Sequence, residues 1–88
     1  MTERTVTVPN RLGIHARPAA LIVRRASVFR SDVRLRFGSD EVNAKSIMGV
    51  MTLAAGKDSQ LVVIAEGKDE KDAVDAICEL VSSGFGED

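Results

Sequence analysis

Apolar and polar residues alternate in two segments of the chain, the pattern of a strand with one buried face. The first is ERTVTV at residues 3–8, where both valines fall on one side, and the second is VRLRF at residues 33–37. A Gly-Ser-Asp turn at residues 38–40 and a short return strand at residues 41–43 are expected next. Residues 60–66, QLVVIAE, are apolar on both faces, so they are expected to form a central strand.

Between the first two strands the spacing of apolar residues changes to that of an amphipathic helix. The helix is predicted to begin at about His15 or Ala16, because Gly13 marks a loop before it and Pro18 is tolerated in a first turn. Its buried stripe is predicted to be Ala19, Ile22, Val23, Ala26 and Phe29.

Two further helices are predicted. A short one follows Ser46 over the run IMGVMTLAA and stops near Gly56. The last begins after Asp69, which is predicted to cap it, with Asp72 three residues on and Gly84 as its stop. The buried stripe of this helix is predicted to be Ala73, Val74, Ile77, Leu80 and Val81.

The predicted order is strand, helix, strand, strand, short helix, strand, helix. One-sided strands interleaved with amphipathic helices indicate an antiparallel or mixed sheet that is covered by helices on a single face. The fold class is therefore α+β, a two-layer open-faced sandwich, and the pattern leaves the strand order open. Arginines on the uncovered side of the strands would keep the other face soluble.

The length of 88 residues allows a single domain spanning residues 1–88. Aromatic residues make up 3% of the chain, which disfavours a base-stacking nucleic-acid binder. Cys78 is alone, so neither a disulfide framework nor a cysteine-based metal site is expected. The polar N-terminus lacks the apolar core of a signal peptide, and no apolar run is long enough to cross a bilayer. A cytoplasmic location is expected.

Charge is unevenly distributed along the chain. Residues 1–37 contain eight arginines and two acidic residues, a balance of +6, whereas residues 38–88 contain four lysines and eleven acidic residues, a balance of −7. The formal net charge of −1 therefore hides a possible bipolar surface.

His15 is the only histidine, and it lies where a glycine loop meets a helix start, in GIHARPA. It could simply cap the helix or lie on the surface. However, a helix start offers free N–H groups, here those of Ala16 and Arg17, and a partial positive charge that favours an anion. The guanidinium of Arg17 can also bind phosphate oxygens. Both features favour a neutral, nucleophilic imidazole beside an anion site, which is the arrangement that phosphoryl transfer requires.

The segments GIHARPAA at residues 13–20 and KSIMGVMTL at residues 45–53 closely resemble the HPr family of the bacterial phosphoenolpyruvate-dependent phosphotransferase system. The resemblance extends over the whole chain. It implies a four-stranded antiparallel sheet with three helices on one face, in the order βαββαβα. It also implies a phosphoryl carrier, not an enzyme, that needs no cofactor or metal.

By this resemblance, His15 accepts a phosphoryl group on Nδ1 from phosphorylated enzyme I and passes it to IIA domains or proteins of the same system. Arg17 matches the family's arginine beside the phosphohistidine. Ser46 is expected to cap its helix, and the resemblance adds regulatory phosphorylation by an HPr kinase/phosphorylase. The chain departs from the common pattern at Leu12, where many relatives have a small polar residue, and in its last residues, SSGFGED.

The resemblance also implies a docking face that is shared by several partners and built on the first two helices. Flexible methionines suit a surface that must fit more than one partner, although an apolar stripe is more often part of a core. Carried onto this chain, the docking face comprises Arg17, Ala20, Leu21, Arg24, Ser27, Ile47, Met48 and Met51.

Two alternatives remain open at this stage. One is a mainly regulatory HPr paralogue that depends on Ser46 or on a nitrogen-related branch of the system. The other is a nucleic-acid-binding α+β module that uses the arginine-rich first part, although a pI of about 5.8 argues against it. The expected carrier is a monomer that binds no nucleic acid and meets membranes only through permeases.

Overall fold

The alternating segments form one antiparallel sheet in the computed structural model, which describes residues 1–87. The strands are β1 (Thr2–Thr7), β2 (Asp32–Phe37), β3 (Asp40–Asn43) and β4 (Gln60–Glu66). Their order across the sheet is β1-β4-β2-β3, and every neighbouring pair is antiparallel. The apolar segment at residues 60–66 is thus an inner strand, as predicted from its two apolar faces.

Three helices cover one face of this sheet: α1 (Ala16–Ser27), α2 (Ile47–Met51) and α3 (Glu70–Ser82). The start of α1 agrees with the prediction, and Pro18 lies buried in its first turn. A short 3-10 turn over Gly84–Gly86 follows α3. The predicted α+β open-faced sandwich, with the order βαββαβα, is confirmed.

The core lies between the helices and the sheet. Its largest fully buried aliphatic side chains are Ile22 of α1, Leu35 of β2, Leu61 of β4 and Ile77 of α3. Burial of each such side chain contributes about 1.5–3 kcal/mol, so these contacts hold the helices to the sheet. The predicted stripes supply most of this layer, since Val23 and Leu80 are the only members within the helices that are not fully buried. Phe29, predicted as part of the α1 stripe, lies two residues beyond the end of the helix and is also only partly buried.

The predicted α2 is too long. The helix ends after five residues at Met51, because Thr52 donates its hydroxyl to the Gly49 carbonyl at 2.6 Å and Ala54 has a positive φ of 55°. A positive φ is unfavourable for a residue with a Cβ and breaks the helical path. The remaining residues of the run form the loop that leads to β4.

The predicted cap of α3 is right in position and wrong in bonding. Asp69 is the N-cap residue, but its carboxylate does not cap α3. It accepts hydrogen bonds from the backbone N–H groups of Arg30 and Ser31, each at 2.9 Å, and from the Ser31 hydroxyl. Asp69 therefore ties the loop before β2 to the start of α3.

Several arginines of the basic first part lie away from α1. On the uncovered face of the sheet, Arg34 pairs with Glu41 at 2.8 Å and with Asp32 at 3.1 Å. Arg36, on the same face, lies 4.0 Å from Glu3. The predicted bipolar surface is thus partly neutralised, since acidic residues accompany these arginines. Within the described residues, no helix is both long enough and apolar enough to cross a membrane.

Candidate functional site

The loop that carries His15 is fixed by contacts with the segment before β4. Ile14 donates its N–H to the Ala55 carbonyl at 2.9 Å, and Val8 donates its N–H to the Ser59 carbonyl at the same distance. Gly13 has φ +66°, and a Cβ at this position would lie 2.4 Å from the Ala55 carbonyl oxygen. Only glycine fits here, because both the backbone angle and the close approach exclude a side chain. The imidazole is therefore presented from a rigid support.

His15 is the N-cap residue of α1, but its side chain makes no capping hydrogen bond. The first intrahelical bond runs from the Ala19 N–H to the His15 carbonyl at 2.9 Å. The N–H groups of Ala16 and Arg17 precede this bond and have no partner among residues 1–87. Pro18, the third residue of the helix, has no N–H. The first turn contains no acidic residue. This helix start therefore offers two free donors and a positive partial charge to an anion.

The imidazole of His15 uses one of its two ring nitrogens within the protein. Nε2 lies 2.7 Å from Oε1 of Glu87, whereas Nδ1 makes no hydrogen bond to residues 1–87. The side chain is 36% exposed, so a partner can reach the ring from outside. The arrangement leaves Nδ1 available as a nucleophile.

Glu87 was not predicted to be part of the site. Its Oε1 also accepts a hydrogen bond from Nδ2 of Asn10 at 2.9 Å, and its Oε2 lies 3.8 Å from the Arg17 guanidinium. The hydrogen bond from His15, then that from Asn10, and the nearby charge of Arg17 lower the pKa of the Glu87 carboxyl. The carboxylate is therefore ionised at neutral pH and brings negative charge to a site that the sequence analysis described as positive.

The last described residues reach the site because Phe85 anchors them. Its side chain is buried in the core, with φ at 59°, and Glu87 donates its N–H to the Gly84 carbonyl at 3.0 Å. The tail thus folds back over the loop that precedes α1. The C-terminal main-chain carboxylate belongs to Asp88 and lies outside the described residues. A large apolar residue in a polar tail was the one sequence signal for this contact.

Ser46 caps α2, as predicted. Its Oγ accepts a hydrogen bond from the Gly49 N–H at 3.2 Å, and its carbonyl accepts from Val50 at 2.9 Å. The neighbouring Lys45 donates its ammonium to the Phe29 carbonyl at 2.8 Å, just beyond the end of α1. These contacts hold the start of α2 against α1. The Ser46 side chain is half-buried, so its hydroxyl remains close to the surface.

The structure brings the predicted docking face to the surface, on α1 and α2, which pack against each other. Ala20 and Leu21 are half-buried, and Met48 is 78% exposed. Leu12, which was not included in this face, is 64% exposed in the loop before His15. The remaining members are all exposed: Arg17, Arg24, Ser27, Ile47 and Met51.

The chemistry available at the site is anion binding and nucleophilic attack by nitrogen. Within residues 1–87, no group of three or more His, Cys, Asp or Glu side chains is placed to hold a metal ion. The donors that face an incoming anion are backbone N–H groups and one guanidinium. A phosphoryl group bonded to Nδ1 could be stabilised by both.

A comparison with protein families agrees with this chemistry. The family model described as "PTS HPr component phosphorylation site" matches residues 2–83. The phosphocarrier protein HPr of Treponema pallidum (strain Nichols) is 52% identical over 88 residues, which is all of this chain and all of that protein.

Solved structures show the same fold. HPr-C-His from Thermoanaerobacter tengcongensis superposes with a TM-score of 0.95 at 44% identity, covering 100% of this chain and 99% of that one. An HPr dimer from the same organism gives a TM-score of 0.79 at 45% identity, covering 99% and 100%. These similarities cover sequence, chain length and fold together.

Proposed function

Because the chain belongs to the HPr family of phosphocarrier proteins in the phosphotransferase system, we propose that it carries a phosphoryl group on Nδ1 of His15. The observation that carries the proposal is the juxtaposition of a ring nitrogen without a hydrogen bond and a helix start with two free N–H groups. Arg17 lies on the same first turn.

Transfer to the carrier would proceed by attack of the Nδ1 lone pair on the phosphorus of a phosphorylated donor protein. A nitrogen–phosphorus bond forms as the bond between phosphorus and the donor breaks, and the donor keeps that electron pair. The N–H groups of Ala16 and Arg17 and the Arg17 guanidinium would stabilise the charge on the phosphoryl oxygens. Transfer to an acceptor is the same step in reverse. The protein is thus a phosphoryl carrier, with no released small-molecule product of its own.

The partners that fit this role are enzyme I as donor and IIA domains or proteins as acceptors. Exposed apolar and basic residues on two packed helices support this proposal: Ile47, Met48 and Met51 are exposed on α2, and Arg17 and Arg24 are exposed on α1, which contacts α2. Such a surface suits partners with acidic rims around an apolar patch. The same partners would bring the carrier to membrane permeases without inserting it into the bilayer.

Regulation through Ser46 is the second part of the proposal. The Ser46 hydroxyl lies at a helix start, where a phosphate is favoured by the helix dipole, so modification by an HPr kinase/phosphorylase need not unfold α2. The added negative charge would stand beside Ile47 and Met48. Docking of an acidic partner would therefore weaken.

We further propose that the carrier acts in the cytoplasm as a monomer and that residues 1–88 form a single domain. The single core between sheet and helices supports the domain assignment. The monomer assignment is tested by sedimentation, since a relative from Thermoanaerobacter tengcongensis forms a dimer in its crystal structure.

The proposed function is tested by incubation with phosphoenolpyruvate and a heterologous enzyme I. The wild type should gain one acid-labile phosphate, because nitrogen–phosphorus bonds hydrolyse in acid, and His15→Ala should gain none. An acid-stable phosphate elsewhere, or no transfer to the folded wild type, would exclude the carrier role.

The docking face is tested by placing a charge at its centre. Met48→Glu should lower the rate of phosphoryl transfer about tenfold, the effect of losing one central interface side chain. Thr5→Glu is the control, because it adds the same charge at an exposed position of β1, which contributes nothing to the docking face. Equal rates for the two variants would remove Met48 from the interface.

The regulatory alternative and the nucleic-acid alternative make different predictions. A mainly regulatory paralogue would accept phosphate from ATP on Ser46 and transfer it poorly from His15 to any IIA protein. A nucleic-acid module would bind generic RNA at low salt and lose it as salt rises. The ion pairs of Arg34 and Arg36 with acidic neighbours disfavour the latter, because they reduce the free positive charge.

A further inference from the structure

We propose that Glu87, held by Asn10, is a positioning residue that fixes the His15 ring with its hydrogen on Nε2 and leaves Nδ1 as the nucleophile. The inference rests on the proposed carrier function and adds to it a role for the tail. It is drawn from a network in which Glu87 of the tail contacts three residues near the start of α1: Asn10, His15 and Arg17.

The direction of each hydrogen bond follows from the chemistry of the groups. An ionised carboxylate only accepts, so the 2.7 Å contact with Glu87 requires that His15 Nε2 carry a hydrogen. In a neutral imidazole the other nitrogen, Nδ1, then has the lone pair. The carboxylate therefore selects one of the two tautomers, in the way that a carboxylate orients the histidine of a catalytic triad.

Asn10 fixes the position of that carboxylate. It is 99% buried by its neighbours, and its Nδ2 donates both to Glu87 at 2.9 Å and to the Gly13 carbonyl at 2.8 Å. Its Oδ1 has no hydrogen-bond partner among the described residues. Reversing the amide would turn this oxygen towards two other acceptors, so the orientation is determined. A buried amide oxygen without a hydrogen bond is unfavourable by itself. The two hydrogen bonds donated by Nδ2 are therefore the interactions that Asn10 contributes.

The same contact would assist the transfer step. Bond formation at Nδ1 leaves the ring with a hydrogen on Nε2 and a formal positive charge. Oε1 of Glu87 lies directly against that hydrogen, so it stabilises the charge as it develops. The Arg17 guanidinium lies 3.8 Å from Oε2 of Glu87. Its positive charge would reduce the repulsion between this carboxylate and a phosphoryl group on Nδ1.

The proposal is tested on the full-length protein with Glu87→Ala, Glu87→Gln and the control Glu79→Ala, which removes an exposed carboxylate from α3. The first readout is the 15N and 1H spectrum of the His15 ring at a pH where the ring is neutral. The wild type and Glu79→Ala should show one tautomer, with a slowly exchanging hydrogen on Nε2. Glu87→Ala should show mixed tautomers and exchange of that hydrogen about tenfold faster, since one charge-assisted hydrogen bond is lost.

The second readout is the rate of phosphate acceptance from enzyme I. It should fall about tenfold in Glu87→Ala and by less in Glu87→Gln, which retains an acceptor but not the charge. A Glu87→Ala spectrum with wild-type shifts and exchange would overturn the positioning role. Failure of the wild type to accept phosphate on His15 would instead reject the carrier function. The two failures are distinguishable, because the spectrum is recorded without any phosphoryl donor.

Discussion

The starts of α1 and α3 use the same helix physics for opposite purposes. At the start of α3, the first turn contains Glu70 and Asp72, so the protein itself supplies the negative charge that a helix start favours. At the start of α1, the first turn contains no acidic residue, and Pro18 removes one N–H. Neither cap side chain bonds to its own helix, so the two starts differ in the acidic residues of the first turn.

The carboxylates at the start of α3 build structure. Glu70 accepts from the Gly67 N–H at 3.2 Å and lies 3.0 Å from the N-terminal ammonium of Met1, which ties β1 to α3. At α1, the acidic residue that approaches is Glu87, and it bonds to the imidazole rather than to the free N–H groups. The comparison shows that a first turn without its own carboxylate distinguishes the start of α1 from that of α3.

The largest effect is expected from making α1 resemble α3. In Ala16→Glu a carboxylate enters the first turn of α1 and repels an incoming phosphoryl group. At about 6 Å and an effective dielectric constant of about 20 the repulsion is about 3 kcal/mol, which lowers phosphate acceptance roughly 100-fold. The melting temperature should not fall, because a carboxylate is favourable at a helix start. Ala16→Gln is the neutral control, and an equal loss of rate in both variants would contradict the electrostatic account.

Removal of the nearby guanidinium should have a smaller effect. Arg17→Gln is expected to lower the rate of phosphate acceptance about tenfold, since one charge-assisted contact with the phosphoryl oxygens is lost from an exposed side chain. Arg25→Gln, an exposed arginine two turns along the same helix, is the matched control. Equal rates for Arg17→Gln and Arg25→Gln would show that only general positive charge matters.

The third helix start, that of α2, is capped by a hydroxyl. Ser46→Ala removes the acceptor of the Gly49 N–H and should lower the free energy of unfolding by about 1 kcal/mol, measured by denaturant titration. Ser82→Ala, which removes a hydroxyl from the last turn of α3, should lower it by less. If Ser46→Ala is as stable as the wild type, the hydroxyl does not act as a cap.

The smallest effect is expected from acid at the start of α3. The Ser31 hydroxyl and the Arg30 amide lower the pKa of Asp69 to about 2, and the Thr2 hydroxyl and the N-terminal ammonium lower that of Glu70 to about 2. Since both values are depressed in the folded protein, their contribution to stability is present above pH 4–5, the range of an unfolded carboxyl, and is lost as pH falls to about 2.

Thermal unfolding of wild type and Asp69→Asn between pH 7 and pH 2 measures this contribution. The variant should melt at a lower temperature at pH 7, and the difference should shrink as pH falls through the range below 4. A difference that is constant with pH would mean that the charge of Asp69 does not stabilise the fold.

Much of the fold follows from local patterns in the sequence. The alternation at residues 33–37 and the helical stripe from Ala19 onward place both elements correctly, because burial of one face is decided by neighbouring residues. Pro18 and Ser46 likewise act within the first turn of their own helices, whereas the need for glycine at position 13 also depends on the distant Ala55. The start of α1 and the cap of α2 could therefore be predicted.

Features that join distant segments could not be predicted in the same way. The pairing of β4 with both β1 and β2, and the contact of Glu87 with His15, depend on the packing of the whole chain. Asp69 has the sequence position of a cap, but stronger donors in the loop before β2 take its carboxylate. The charge balance along the chain predicted a bipolar surface, but Glu87 of the acidic second part contacts His15 of the basic first part.

The most direct test is the identity of the phosphorylated nitrogen. The protein is labelled with 15N in its single histidine, phosphorylated by phosphoenolpyruvate and enzyme I, and examined for 31P–15N coupling. The open start of α1 and the bond from Nε2 to Glu87 predict coupling to Nδ1 and a hydrogen on Nε2. Coupling to Nε2, or a phosphate on any other residue, would contradict the account of this site.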